Sequence, residues 1–389
     1  MTRPSTLQFR QVKVPPGVID LGIGQPDDSV LPVELMGRAA AAAFATGDPD
    51  LLQYGADYGN GAHRLALAEF LTDGYGFPVD PEWLLTSNGN SQALNLVCTV
   101  FTHPGDVVIV EEPTYFLAWG IFLDHGLEAV GVPMDGDGLD VDELEATIVK
   151  MKERGRAPRL IYTIPSFHNP TGVTLAAERR RRLVEIARRH EVLVVADEVY
   201  HFLDYDAGAV PALSHWADSG WVISLGSFSK ILAPALRLGW IHATPDHLDR
   251  LAHSGLIVSG GGLNPITSSL VTEVIKAGGL TEHIRFLCET FARRVATMHE
   301  VLGSEMADGV SWARPAGGYF FWLRLPDGHD AQELRDRARD FQVDFRPGRL
   351  FSSQGGLHEH LRLSHAYYRE PELVAGVERV GRALSSFLR

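Results

Sequence analysis

Cysteine is nearly absent: Cys98 and Cys288 are the only two in 389 residues, which excludes a disulfide framework and favours a reducing compartment. Cys98 lies in the apolar stretch ALNLVCTVF and reads as a buried, unreactive thiol. Positive charge is also short, because 35 basic against 49 acidic side chains leave a net charge of −14. Such a field opposes attraction to nucleic acid or to an anionic membrane, so neither is expected as a partner. No apolar run approaches the ~18 residues needed to span a bilayer. The opening MTRPSTLQFRQVKVPPG lacks the apolar core of a signal peptide, and a cytoplasmic protein is expected. Apolar residues make up 45% and charged residues 22%, a balance that excludes a disordered chain. At ~150 residues per domain, the length suggests two domains.

Short apolar runs alternate with amphipathic stretches through the middle of the chain. The clearest strand candidates are Val107–Glu111, Leu160–Ile164, Val192–Ala196, Val222–Leu225 and Leu238–Ile241. A helix fits between them at Ala176–His190, with Leu183, Ile186 and Ala187 on its apolar face. Continuous Val/Ile/Leu runs separated by helices imply strands buried on both faces, hence an α/β fold with a mainly parallel sheet. After about residue 285 the pattern changes to a long helix, the strand-like GGYFFWLRL, and helices from Ala331 and Glu370. The expected division is a large domain, 45–285, and a smaller α+β domain from 1–44 and 286–389.

Three segments at the carboxyl ends of candidate strands carry the chemistry. Ser227-Phe228-Ser229-Lys230, followed by Arg237, offers two hydroxyls, an amine and a guanidinium suited to a phosphate monoester. Asp197 ends the run VLVVA, with Tyr200 three residues on. Pro165-Ser166-Phe167-His168-Asn169-Pro170-Thr171-Gly172 is a turn, since Pro170 biases Asn169 away from helix. Ligands of parallel sheets sit where these segments fall.

With these motifs, the chain from about Ile19 to its C-terminus resembles the fold-type I pyridoxal-phosphate aminotransferases, class I/II. It is most similar to the branch with 2-aminoadipate- and kynurenine-type enzymes. LGIGQPDDSVLP, QYGADYGNGAHRLALAEFL, LLTSNGNSQALNLV, EEPTYF, IPSFHNPTG, VVADEVY, SLGSFSKILAPALRLGW, GGYFFWL and LRLSHAYY carry the likeness. The resemblance implies a seven-stranded, mainly parallel sheet and a homodimer. It also implies transfer of an α-amino group between an L-amino acid and a 2-oxo acid in amino acid metabolism. Lys230 would be the Schiff-base lysine, and Asp197 the partner of the pyridine nitrogen. Asn169 and Tyr200 would donate to the cofactor's phenolate oxygen, and Tyr115 would stack on its ring. Ser227, Ser229 and Arg237 would hold the phosphate, with Asn90, Ser91 and Gln92 at the start of a helix. Tyr54 would reach the phosphate of a neighbouring subunit in a shared active site. Arg362 would bind the substrate carboxylate, beside Asn169 and Gly24.

The phosphate loop reads Asn88-Gly89-Asn90-Ser91-Gln92, where the family commonly has Gly-Ser-Gln-Gln or a Gly-Thr variant; backbone donors survive that change. β- or γ-elimination and replacement use the same residues and stay open as an alternative to transamination. A DNA-binding regulator of related sequence is not expected, as about 20 residues before the resemblance are too few for a helix-turn-helix domain. Gly22-Ile23-Gly24 lacks the third glycine of a dinucleotide fingerprint. Asp135–Asp140 reads as a turn, His358-Glu359-His360 as surface histidines, and Arg179–Arg182 as a solvated helix face. Gln25, Asp27 and the loop Gly260–Asn264 are candidates to line the substrate's side-chain pocket.

Overall fold

The computed structural model describes residues 10–208 and 210–388. The main sheet has eight strands, in the spatial order Leu84–Ser87, Gly239–His242, Val222–Ser227, Leu193–Asp197, Pro158–Thr163, Val107–Glu112, Glu128–Asp135, Gly138–Leu139. Only Gly239–His242 and Gly138–Leu139 run against the rest. Gly138–Leu139, a two-residue hairpin partner at the edge, is the strand beyond the expected seven. The five expected strands form within two residues of their expected bounds, because continuous burial on both faces demands unbroken Val/Ile/Leu. Glu128–Asp135 was not read from the sequence: its outer side is paired only at Met134 and Asp135, it is part-exposed, and Gly131 and Pro133 lie inside it.

Because the strands run parallel, the chain leaves one edge of the sheet after Ser87, Glu112, Thr163, Asp197 and Ser227. All the chemistry-bearing loops therefore start from that edge. The helix Asn90–Phe101 begins there too, directly behind Gly89.

A second, antiparallel sheet joins Ser311–Trp312, Phe320–Arg324, His360–Ser364 and Arg346–Pro347. The helices Gly279–Glu305, Ala331–Ala338 and Glu370–Phe387 pack with it around Val295, Phe321, Leu363 and Val377. The 27-residue helix Gly279–Glu305 serves both cores. Leu280, Leu287 and Phe291 join the main sheet's apolar cluster, whereas Val295, Met298 and Leu302 join the smaller one. Ile19–Asp20 pairs in parallel with Val343–Asp344 as a separate two-stranded sheet, and Ile19 and Leu21 join the smaller apolar core.

One expectation is corrected on the helix Ala177–His190. Arg181 is exposed and Arg182 half-buried, both paired with acids, but Arg180 is fully buried. Its guanidinium donates to the carbonyls of Leu175, Pro211 and Pro165 and to Ser166 Oγ. It thus pins both ends of the turn carrying Asn169. Burial lowers its pKa to about 10, still far above neutrality.

Candidate active site

Lys230 follows the strand Val222–Ser227 by three residues, which sets its amine over the carboxyl edge of the sheet. Its Nζ donates to the carbonyl of Gly24 at 2.9 Å and lies 5.2 Å from the centre of the Tyr319 ring. Burial, then the nearby Arg362, lowers the amine to about 8, with Asp197 opposing and Arg237 assisting. Lysine amines ordinarily titrate near ~10.4, so this one is shifted toward the neutral, nucleophilic form.

Asp197 closes the neighbouring strand, and three donors surround its buried carboxylate. Asn90 Nδ2 approaches Oδ1 at 2.6 Å, Tyr162 OH approaches Oδ2 at 2.8 Å, and the Val199 N–H contributes the third. Burial nevertheless raises its pKa, with the three donors and Lys230 acting against it. Asn90 is thus turned to Asp197 and to the Leu225 carbonyl, and only its backbone faces the helix start. Tyr162 escaped the sequence reading; a tyrosine inside the otherwise apolar run LIYTI was the available signal.

The helix start beside Asp197 is built as an anion cradle. Gly89, with φ +79°, caps the helix without a side chain, and no acid occupies the first turn. A methyl on Gly89 would stand 3.0 Å from Arg237 Nη2, so the guanidinium lies directly against the bare backbone. Arg237 also reaches the Asn88 carbonyl at 3.3 Å and Ser229 Oγ at 3.5 Å, and Ser227 and Ser229 join their hydroxyls at 3.0 Å. Arg237 itself adopts φ +45°, a conformation costly for arginine and held here by Asn264 on its carbonyl. Gln92 Oε1 accepts from the Asn88 N–H at 3.1 Å, while Ser91 is exposed. Asn88 Oδ1, Asn90 Oδ1 and Gln92 Nε2 are buried without partners among the described residues. Unpartnered polar atoms around a cationic helix start fit a phosphate-bearing ring with polar substituents.

Opposite the cradle, Arg362 is 3% exposed and donates to Asn169 Oδ1 and to the Gly22 carbonyl, both at 2.7 Å. Its guanidinium lies 4.0 Å from the Phe320 ring centre and 5.0 Å from that of Phe351. Tyr200 packs on Tyr319 and Phe320. Burial raises the pKa of Tyr115 to about 12 and that of Tyr200 well above its ordinary range, so both phenols keep their protons. A methyl on Gly24 would meet Phe320 at 3.0 Å.

The turn carrying Asn169 rests on a buried pair that the sequence did not disclose. His168 Nε2 lies 3.0 Å from Glu111 Oε2, and Glu111 also accepts from Thr163 Oγ1 at 2.6 Å and the Ile164 N–H at 2.9 Å. Against the effect of burial, His168 and these donors hold the Glu111 carboxyl below its usual range.

Tyr54 stands apart: it is 81% exposed, beside Gly261. Asp27 does not line a pocket; it is buried and paired with Arg294, while Gln25 bonds to Gln11. Asn264 faces Arg237. His358 pairs with Asp330 and His360 stacks on Trp322, and no cluster able to hold a metal occurs among the described residues. Cys98 is buried, its thiol pushed up to about 12. No described helix is long and apolar enough to cross a membrane.

Comparison with known proteins finds relatives over nearly the whole chain. The family model for aminotransferase class I and II matches residues 16–380. Aromatic-amino-acid aminotransferase 1 of Thermococcus litoralis is 34% identical over 96% of this chain and 89% of its own. The structure of a multiple substrate aminotransferase from Thermococcus profundus superposes with a TM-score of 0.90 at 33% identity, covering 95% of this chain and 92% of that one. An α-aminoadipate aminotransferase from Thermus thermophilus, complexed with N-(5'-phosphopyridoxyl)-L-leucine, gives 0.85 at 33% identity, covering 96% and 93%.

Proposed function

The chain belongs to the aminotransferase class I and II family, and on that premise we propose that it moves the amino group between an L-amino acid and a 2-oxo acid using pyridoxal 5'-phosphate held by Lys230, Asp197 and the Gly89 cradle. The observation that carries this reading is a lysine of lowered pKa and a donor-wrapped aspartate at the carboxyl edge of the main sheet, with a buried arginine on Asn169 that has no acidic partner among the described residues. Bound there, pyridoxal phosphate supplies a carbonyl carbon to take the amino group and a ring that withdraws electrons from the substrate's α-carbon.

The chain's own residues do the rest. At pH 7.5 an amine of pKa about 8 is roughly one-quarter neutral, against about one part in a thousand at an ordinary lysine's pKa. Lys230 can therefore attack a carbonyl and, when free, carry a proton to or from the α-carbon. Asp197 would supply the negative charge that a protonated ring nitrogen needs. Asn90 and Tyr162 hold that carboxylate in place. Asn169 and Tyr200 would offer donors to the ring's oxygen, and Tyr115 would cover the ring's face. Ser227, Ser229, Arg237 and the backbone of Asn90, Ser91 and Gln92 would hold the phosphate. Arg362 binds the substrate's α-carboxylate by a two-bond fork.

Exposed Tyr54, with exposed Leu52, Leu256 and Val258, suits a second copy of the chain. In that homodimer Tyr54 would complete the partner's phosphate site. The two-unit division at about residues 44 and 285 is part of the proposal, supported by two apolar clusters sharing one long helix. A cytoplasmic location fits two unpaired thiols. For the substrate's side chain we favour an aromatic or aliphatic group. Phe320 and Phe351 lie against Arg362, Phe116 packs on Phe351 and Tyr115 on Phe116, and the nearby Arg346 and Glu112 are already engaged by Asp20 and by Ser352 and Ser353.

The test reconstitutes the protein with pyridoxal phosphate, reduces it with borohydride and maps the modified peptide, then screens the twenty amino acids in single turnovers. A label on Lys230 is expected. Labelling elsewhere, or full turnover by Lys230→Ala, would overturn the assignment.

A further inference from the structure

We propose that Asp20 and Arg346 form a positioning clasp that presents Arg362 to the substrate's carboxylate through the Gly22 carbonyl. The inference rests on Arg362 being the carboxylate-binding group. Asp20 first shapes the segment: its Oδ1 accepts the Gly22 N–H at 2.8 Å, and its backbone N–H donates to Tyr368 OH at 3.0 Å. Arg346 then grips both carboxylate oxygens, Nη2 to Oδ2 at 3.0 Å and Nη1 to Oδ1 at 3.2 Å. Its guanidinium lies against the Gly22 α-carbon, where a methyl would stand 2.7 Å from Nη1. Held this way, the segment aims the Gly22 carbonyl at Arg362 Nη2.

Strand register supplies a second argument. Arg346 and Arg362 are direct cross-strand partners, an arrangement in which like charges repel. Asp20 and, at 3.6 Å, Asp344 absorb the charge of Arg346. Arg362 has only neutral partners, Asn169 and Gly22, among the described residues. The acids are therefore placed to silence one arginine and leave the other charged for an incoming anion.

The test uses the holoenzyme of wild type, Arg346→Gln, Arg346→Lys, Asp20→Asn and Arg362→Gln. Each is mixed with the amino acid that wild type converts fastest, and single turnovers are followed by absorbance. For Arg346→Gln and Asp20→Asn, the half-saturating concentration should rise about tenfold, the equivalent of one weakened charged hydrogen bond, with the maximal rate within about twofold of wild type. Arg346→Lys, which keeps charge but not the fork, should recover part of the loss. The amine lacking that amino acid's carboxylate should bind the clasp variants as it binds wild type.

Arg362→Gln separates the two ideas. If it raises half-saturation but Arg346→Gln and Asp20→Asn do not, the clasp is refuted while the carboxylate assignment stands. If Arg362→Gln itself has no effect, that assignment fails and the clasp with it. Equal losses for amino acid and amine in the clasp variants, with a lowered melting temperature, would make the pair merely structural and overturn the proposal.

Discussion

Tyr162→Phe removes a single oxygen and asks how much of the site's chemistry depends on holding Asp197 as an anion. The Tyr162 ring is 1% exposed and packs edge-on against Phe122 at 5.6 Å, contacts that phenylalanine keeps. What disappears is one of three donors to a buried carboxylate, the 2.8 Å bond to Oδ2. A hydrogen bond to a charged group contributes about 1.5–3 kcal/mol, or roughly 10- to 150-fold. Burial already raises the Asp197 pKa, and losing a donor raises it further. The aspartate then takes up its proton at a higher pH as the solution is acidified. Hence kcat should fall at least tenfold, pyridoxal phosphate should bind more weakly to the apo-protein, and the acid limb of the activity profile should move up in pH. Cofactor titration by absorbance and a kcat profile from pH 5 to 9 measure all three. Asn90→Ala should act in the same direction, and the double variant should lose less than the summed effects because the two donors share one carboxylate. Unchanged kcat, cofactor affinity and acid limb in Tyr162→Phe would refute the reasoning.

Three further outcomes are expected. Arg180→Met leaves the Leu175 and Pro211 carbonyls without their arginine donor and the Pro165 carbonyl with the Leu175 N–H alone, and should cost about 2 kcal/mol in urea denaturation; a loss under about 0.5 kcal/mol would contradict the pinning role. Labelling of the Lys230 amine in the apo-protein should follow a titration near pH 8, since the neutral form grows as pH rises through the lowered pKa. Arg362→Gln removes a neighbouring cation and should move that midpoint upward; no movement would contradict the electrostatic cause. Finally, a Tyr54 variant mixed with Lys230→Ala after dissociation and reassociation should regain activity, because one hybrid site has both wild-type residues; a single-chain site gains nothing.

The main strands were legible because burial on both faces leaves an unbroken apolar signature, and Lys230, Asp197 and Asn169 because they follow such strands directly. Glu128–Asp135 lacked that signature, being part-exposed beside the sheet's edge and paired on its outer side only at Met134 and Asp135. Arg180 misled because a run of four arginines suggests solvent, yet helical periodicity aims the second one inward with Leu183 and Val184. Tyr162, the Glu111–His168 pair and the Asp20–Arg346 clasp were invisible for a different reason. Each acts through a partner far away in sequence, brought near only by the sheet or by the N-terminal segment crossing the smaller domain. Sequence thus exposes residues that meet the ligand more readily than those that hold them.

Amino transfer, as opposed to elimination or replacement, is tested most directly by one stoichiometric experiment. The reconstituted protein is given a single amino acid with no 2-oxo acid present, and the products are counted. The account predicts one equivalent of 2-oxo acid per site, no free ammonia, and an amino group retained until a second 2-oxo acid removes it. Ammonia or a side-chain-substituted product accumulating over many turnovers without an acceptor would contradict it.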